Sequence, residues 1–176
     1  GCDLTEADCS GADLTRAVLT GVQAQGLQLF GAVAEKTDFR NASLRGARGG
    51  AGTVMTGARL TGADLREASL GGTQFIDTDL EGAALDGGDF SRTLFERSHL
   101  RNVTARGSSF LKAVFREADL RGIDLLQGSL RNARLEKVDL REASLYGVDF
   151  FGAALNATDT RGANLKGTLL TLTSKS

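Results

Sequence analysis

Leucine or phenylalanine recurs at every fifth residue along almost the whole chain. From 4 to 44 and from 55 to 170, 33 positions follow this spacing and 27 of them hold Leu or Phe. The other six central positions hold Cys9, Ala24, Ala34, Met55, Ala105 and Thr160. A small side chain such as Ala63 usually stands two residues before the central one, with Leu27 and Ile123 as large exceptions. Glycine dominates two residues after it, where 16 of the 23 glycines lie.

A period of five residues fits neither an α-helix nor a flat β-strand. A helix would scatter successive central residues around its surface, and a flat strand would place them on opposite faces. The chain must therefore bend once per repeat, and glycine marks the bend because it accepts unusual backbone angles at no steric cost. The pattern predicts a β-helical solenoid in which the central residue and the residue two before it point inward.

The repeats resemble those of a known family. The segments 63–67 (Ala-Asp-Leu-Arg-Glu), 118–122 (Ala-Asp-Leu-Arg-Gly) and 163–167 (Ala-Asn-Leu-Lys-Gly) resemble the A(D/N)LXX signature of pentapeptide-repeat proteins. The resemblance implies an all-β fold, a right-handed quadrilateral β-helix with four repeats in each coil. It further implies about eight coils and, at the usual strand spacing, a rod roughly 39 Å long.

One interruption divides the chain into coils at residues 1–44 and coils at residues 55–176 of a single continuous solenoid domain. Leu44 and Leu60 are 16 residues apart, so one extra residue lies within the Gly-rich stretch 45–54. This stretch is interpreted either as a one-residue bulge or as a short flexible loop that replaces one side of a coil. A tolerated surface insertion is the simpler explanation. Resemblance to quinolone-resistance members implies a functional alternative, a loop whose contacts are Arg45 and Arg48.

Four repeats in each coil would stack residues that are 20 apart, so the sequence predicts stripes on the outer surface. One stripe just after the central positions consists of Arg40, Thr61, Glu81, Arg101, Arg121, Arg141 and Arg161. The stripe just before them consists of Asp38, Arg59, Asp79, His99, Asp119, Asp139 and Asp159. Paired columns of opposite charge usually form a solvated surface of ion pairs. The alternative is that Arg101, Arg121, Arg141 and Arg161 bind an acidic or phosphate-bearing partner.

A second candidate surface is apolar. Leu111, Leu126, Tyr146 and Phe151 occupy outward positions within about three coils, and Arg131 and Lys166 flank them. Single exposed apolar residues are common on any protein, whereas several together indicate a contact surface. Chance and a true protein interface are equally good explanations of the pattern. These four residues are therefore the candidate apolar patch.

The amino-acid composition argues against a catalytic or metal-binding function. The chain has one His and two Cys, so the sequence predicts no enzyme, no cofactor and no metal site, and Cys2 and Cys9 are interpreted as small core residues. With 21 basic and 22 acidic residues the formal charge is −1, which argues against direct binding of nucleic acid. No apolar run is long enough to cross a membrane, and the N-terminus lacks the layout of a signal peptide.

The two ends of the chain suggest a larger context. The sequence opens at Gly1 without Met and closes at Ser176 without a predicted cap, although a solenoid exposes its core at uncapped ends. We expect either flanking domains in a longer polypeptide or end-to-end self-association.

Two functions of different class are compatible with these observations. The first is a non-enzymatic protein-interaction or scaffold module, a repeat domain of a larger bacterial protein. Residues 115–150 loosely resemble repeat domains of proteins linked to type VI secretion and of delivered effectors, which implies a location in the bacterial cytoplasm or secretion by a specialised system. The second is a DNA mimic that binds DNA gyrase or topoisomerase IV and confers resistance to quinolones or topoisomerase poisons. The near-neutral charge and the arginine column argue against the second function.

Overall fold

The computed structural model describes residues 2–168, in which the chain winds as a solenoid with four sides to each turn. Parallel β-bridges join residues 20 apart, and 21 apart where the extra residue intervenes, as in Asp3 to Gln23, Gln23 to Ser43 and Ser43 to Asp64. The same series continues to Asn164, eight steps after Asp3. The expected all-β quadrilateral β-helix is confirmed.

In the part of the chain that the structure describes, regular strands form on one of the four sides. They are β1 (Gln74–Ile76), β2 (Leu94–Glu96), β3 (Val114–Arg116), β4 (Arg134–Glu136) and β5 (Ala154–Asn156). The five strands form one parallel sheet in the order β1-β2-β3-β4-β5, so this regular sheet spans four of the eight turns between Asp3 and Asn164. Outside it, successive turns pair through isolated bridges, because each side is straight for only about three residues before the next corner.

The corners lie two residues after each central position, where the pattern of glycines predicts them. Sixteen glycines there have positive φ angles, as does Gly52 at the interruption, and so do 16 residues of other types, including Arg16 at 60° and Glu142 at 62°. Left-handed backbone costs a residue with a Cβ atom roughly 1–2 kcal/mol. The stacked hydrogen bonds of the solenoid therefore hold many corners in a conformation that their side chains disfavour.

The interior contains the central residues and the residues two before them. Phe75, Phe95 and Phe115 are fully buried, and their rings stack with centroids 4.9 Å apart at each step. Gly88 occupies an inward position where a larger residue does not fit, because a Cβ atom there would lie 2.5 Å from a ring carbon of Phe90. Leu27, one of the two large exceptions in the pattern, is also fully buried.

The interruption in the repeat lies at a corner. Gly49 occupies the central position, and its N–H donates to the carbonyl of Ser69 at 2.8 Å. Three residues, Gly50, Ala51 and Gly52, then separate this side from the next, where other corners have two. The hydroxyl of Thr53 accepts a hydrogen bond from Gly50 N–H at 3.1 Å, which closes the longer corner. The extra residue thus forms a bulge at one edge, with both adjoining sides intact.

The first turn is less buried than those that follow. Its inward residues Leu4, Cys9, Leu14 and Leu19 are only partly buried, and Cys2 is exposed. Leu170 and the C-terminal end lie outside the described residues. Within residues 2–168, no helix is long and apolar enough to cross a membrane.

Candidate functional site

The predicted arginine and aspartate columns lie on one side of the solenoid, here called the ladder face. Its central residues are Leu19, Phe39, Leu60, Leu80, Leu100, Leu120, Leu140 and Thr160. Bridges from His99 to Asp119, Asp119 to Asp139 and Asp139 to Asp159 place the charged residues on successive turns. The four predicted arginines are therefore brought together in one column.

Each of these arginines is paired with an aspartate. The guanidinium of Arg141 donates to both carboxylate oxygens of Asp139, from Nε at 2.9 Å and from Nη2 at 2.6 Å. Arg121 and Arg161 form the same fork with the aspartate two residues before, and Arg101 donates from Nε to Asp119 at 2.6 Å. The fork geometry arises because both residues flank one central residue and point outward from the same side. The carboxylates offset most of the positive charge of the column.

The ion pairs also hold the carboxylates in their charged form. Hydrogen bonds from Arg161 and its backbone N–H lower the pKa of Asp159 to about 2. The same contacts from Arg141 lower the pKa of Asp139, and those from Arg40 hold the pKa of Asp38 well below its usual range. At neutral pH the ladder face is thus an array of opposite charges that are already paired.

A shallow groove of about 220 Å³ runs along this face between Arg101, Arg121, Arg141 and the corner residues beside them, one of which is Glu142. The arginines keep unused N–H donors that point toward solvent. However, an acidic ligand would meet the aspartates and Glu142 together with the arginines. The groove therefore suits a partner of mixed charge better than a polyanion.

A second side differs in having few charges, and is here called the smooth face. Its central residues are Cys9, Leu29, Gly49, Leu70, Phe90, Phe110, Leu130 and Phe150. The outward residues just after the central ones are Ser10, Phe30, Gly50, Gly71, Ser91, Leu111, Arg131 and Phe151. Among residues 2–168 there are 17 ion pairs, and only Arg131 with Asp149 lies on this side. The Arg131 guanidinium also sits 4.8 Å from the centre of the Phe151 ring, a cation–π contact.

The candidate apolar patch is divided between two sides. Leu111 and Phe151 lie on the smooth face, while Leu126 and Tyr146 stack on the preceding side, around one edge of the solenoid. Phe151 and Tyr146 are exposed to 64% and 47%, whereas both leucines are half-buried. The patch is thus a ridge along an edge with two aromatic rings in solvent.

Arg45 and Arg48 do not lie in a loop. Arg48 occupies a regular bridged position between Gln28 and Ser69. Arg45 directly follows the central residue Leu44 and pairs with Glu67 at 2.6 Å. The bulge lies after both residues, so neither projects as a loop contact would.

One exposed aromatic residue was not predicted from the repeat. Phe30 is 46% exposed and belongs to the same outward column as Leu111 and Phe151. The spacing of 20 residues that grouped the other apolar residues also applies to Phe30, but the shift at the bulge hid the relation. Val18, exposed to 79% on the first turn, was missed as well.

A family model describes this repeat. The model of pentapeptide repeats matches with 8 copies at residues 1–33, 53–92, 93–125 and 124–159. No curated protein matches the chain.

Solved structures show similar folds. A trypsin-treated variant of QnrB1, a plasmid-mediated fluoroquinolone resistance protein, matches with a TM-score of 0.65 and 16% identity over 96% of this chain and 86% of that one. A second QnrB1 variant matches with a TM-score of 0.56 and 19% identity over 94% of this chain and 78% of that one. HetL from the cyanobacterium Nostoc, a pentapeptide repeat protein involved in heterocyst differentiation regulation, is 24% identical over 99% of this chain and 91% of that one, with a TM-score of 0.38.

Proposed function

Since this chain belongs to the pentapeptide-repeat family, we propose that it is a non-enzymatic scaffold that binds a protein partner through the smooth face and the adjoining ridge. The proposal extends to a repeat domain of a larger bacterial protein, either secretion-associated or effector-like. The inside of the solenoid is filled with side chains and the backbone is occupied by bridges between turns. Along the sides of the solenoid at residues 2–168, the outward columns are therefore the surface that can recognise another molecule.

The distribution of ion pairs is the observation that carries this proposal. The ladder face has eight of the 17 ion pairs among residues 2–168, and the smooth face has one. Removing a surface of paired charges from water costs desolvation that its contacts must offset. A surface of small and apolar side chains has no such cost, and exposed aromatic rings are typical anchors of protein interfaces.

Site-specific photo-crosslinking in a bacterial host tests the proposal. A photoreactive residue replaces Phe151 or Tyr146, and the matched control replaces Lys137, which is exposed on another side and paired with Glu117. We expect one discrete crosslinked protein from the first two positions and none from the control. Equal crosslinking from all three positions would contradict a specific surface. Mass spectrometry identifies the partner.

The second candidate function is inhibition or protection of DNA gyrase or topoisomerase IV. It is supported by fold similarity to QnrB1, whose name describes fluoroquinolone resistance. The paired charges of the ladder face argue against it, because a mimic of DNA must present uncompensated negative charge. The scaffold function is therefore preferred.

A supercoiling assay with DNA gyrase separates the two functions. The purified chain is titrated with and without a fluoroquinolone, beside a variant in which Arg101, Arg121, Arg141 and Arg161 are all changed to Glu. Inhibition or drug protection by the unmodified chain would assign it to the topoisomerase-binding class. We expect the unmodified chain to leave supercoiling and drug action unchanged. The variant shows whether added negative charge alone is enough to inhibit the enzyme.

A further inference from the structure

The outward column of the smooth face has an unusual symmetry about Ser91. One and two turns before Ser91 the column has no side chain, at Gly71 and Gly50. Three turns before it lies Phe30, and three turns after it lies Phe151. A Cβ atom placed on Gly50 would lie 3.6 Å from the Phe30 ring and 3.8 Å from the carbonyl oxygen of Gly71, which places Gly50 in the column between them.

Large side chains occupy the mirror positions of the two glycines. Leu111 lies one turn after Ser91 and Arg131 lies two turns after it, at the same steps as Gly71 and Gly50 on the other side. The column thus has two glycines on one side of Ser91 and two large side chains on the other. A phenyl ring lies three turns from Ser91 in each direction. A surface with this order is complementary to itself when turned end for end.

We propose that the smooth face is an antiparallel dimer interface with a second copy of this chain. A two-fold axis along the strand direction at the level of Ser91 reverses the rod and brings the column against its own copy. Leu111 then fits over the partner's Gly71, Arg131 over the partner's Gly50, and Phe151 against the partner's Phe30. The inference rests on the proposed function, since it names the partner of one surface assigned there.

The charged residues of the neighbouring column agree with this register. Arg48 has no ion pair among residues 2–168 and is exposed. The two-fold axis brings the partner's Asp149 opposite Gln28, one turn or roughly 4.8 Å from Arg48. Asp149 already pairs with Arg131 of its own copy, so the partner's Arg48 adds a second cation beside this carboxylate at two symmetric places.

One contact opposes dimerisation and makes the register testable. Asp89 precedes Phe90 on the same turn as Ser91, is exposed, and accepts the Ser91 N–H at 2.9 Å. On the two-fold axis it faces the partner's Asp89, a pair of like charges. In this antiparallel register Asp89 faces its own copy, whereas the residues one turn before and after it in the column face each other.

The size of the surface indicates a weak, reversible dimer. Seven turns at the usual strand spacing cover roughly 34 Å, and the straight part of a side is roughly 10 Å wide. The two copies together would bury roughly 700 Å², below the roughly 1,200 Å² of standard stable complexes. We therefore expect dimers only in the upper micromolar range.

Sedimentation velocity of the purified chain from low micromolar to millimolar concentration is the first test. We expect Leu111→Glu to weaken association at least about tenfold, because it puts a charge against the partner's backbone. Asp89→Asn should strengthen association several-fold by removing the like-charge pair. Leu94→Glu, at an equally half-buried outward position in β2 and outside the smooth face and the ridge, is the matched control and should change nothing. Thermal unfolding confirms that each variant folds.

Disulfide trapping tests the register directly. In a Cys2→Ala and Cys9→Ala background, Ser91→Cys places two thiols together on the axis. Ser10→Cys is in the same column four turns away, so its two copies would be roughly 38 Å apart. Because Ser10 is exposed and Ser91 is half-buried, random collisions would crosslink Ser10→Cys, the control, faster than Ser91→Cys. We expect crosslinking of Ser91→Cys at least about tenfold faster.

Two results would overturn the inference. One is a chain that stays monomeric at millimolar concentration, and the other is crosslinking of Ser10→Cys as fast as that of Ser91→Cys. Photo-crosslinking of a different protein to Phe151 would still support the proposed function in either case. Failure of the dimer and failure of the scaffold function are thereby distinguished.

Discussion

Residues 24–55 and residues 75–115 follow the same repeat but fill the interior differently. In the second region five phenylalanines point inward, and Phe75, Phe95 and Phe115 form a continuous stack. In the first region the central positions include Ala24, Ala34 and Gly49. The backbone spacing is nevertheless the same, with bridges between residues 20 or 21 apart in both.

At some positions a neighbouring side chain compensates for a difference in volume. Ala24 and Ala105 are small central residues, and the inward residues two before them are the larger Val22 and Val103, all four buried. Conversely, Gly88 stands before the large Phe90. Compensation within one repeat is not general, because the inward Ala32 and Ala34 are both small, but all these residues are buried, in keeping with the close packing of protein cores. Because the interior is constrained in this way, differences in recognition must come from the outward columns.

Among changes to the interior of the two regions, Phe95→Ala is expected to lower the unfolding free energy most. Phe95 stacks on Phe75 and Phe115 with interplanar angles of 4° and 6° and also contacts Phe110 at 6.0 Å. Its truncation leaves a cavity at the centre of the stack and should cost about 3–5 kcal/mol of unfolding free energy. Met55→Ala, in the other region, should cost about 2–3 kcal/mol. Urea denaturation measures both, and equal losses would show that the ring stack adds nothing.

Gly49→Leu is the next largest change and tests whether the first region could accept a regular central residue. A Cβ atom at Gly49 would lie 2.9 Å from Cδ2 of Leu70 and 3.2 Å from Oγ1 of Thr53. Overpacking of this kind should cost about 1–3 kcal/mol. Combining it with Leu70→Ala makes room and should recover part of the loss, so the double variant should be more stable than the sum of the single changes. Strict additivity in urea denaturation would contradict the local compensation of volume.

The regular parts of the fold were predictable because one spacing determines them. The central residues Leu44, Leu65 and Leu120 identify the inward column, and the glycines after them identify the corners. The position of the extra residue was not predictable. Gly49, Gly50 and Gly52 are all compatible with a corner in sequence, and only the bridge from Arg48 to Ser69 shows that Gly49 is still central.

The candidate site was only partly predictable for a related reason. The spacing grouped Arg101, Arg121, Arg141 and Arg161 in one column, but which donor meets which carboxylate depends on side-chain conformation. The fork of Arg121 on Asp119 and the single contact of Arg101 to the same residue cannot be told apart from their positions in the repeat. The division of the apolar patch around an edge likewise depends on where each side ends.

Thr73→Val should change the unfolding free energy less than the two core substitutions, and it should raise it. The hydroxyl of Thr73, buried at the start of the phenylalanine stack, has no hydrogen-bond partner within the described range 2–168. An unsatisfied buried hydroxyl is destabilising, so replacing it with a methyl group should raise the unfolding free energy by about 1 kcal/mol. Thr78→Val is the matched control, because its hydroxyl donates to the carbonyl of Met55 at 2.8 Å, and it should lower stability by about 1 kcal/mol. Changes of the same sign in urea denaturation would show that burial of the hydroxyl, and not its hydrogen bonding, determines the change in unfolding free energy.

The smallest effect concerns the outer charges of the two regions. Hydrogen bonds from Arg40 lower the pKa of Asp38, and those from Arg97 lower the pKa of Asp77, both from the ordinary value of 3.8. A carboxylate with a lower pKa in the folded state stabilises the fold above its unfolded pKa, and this contribution is lost as the pH falls through the folded pKa. Asp38→Asn and Asp77→Asn should therefore both reduce the loss of stability below about pH 4.

The two aspartates should not respond equally. The Asp38 side chain is 14% exposed and that of Asp77 is 50% exposed, so solvent screens the second pair more. We expect the larger change from Asp38→Asn, with Ser129→Asn, an outward change that removes no carboxylate, as the control. Thermal unfolding between pH 2 and pH 7 measures the difference. A larger change from Asp77→Asn would mean that the interior of each region, and not exposure at the surface, sets the strength of the outer ion pairs.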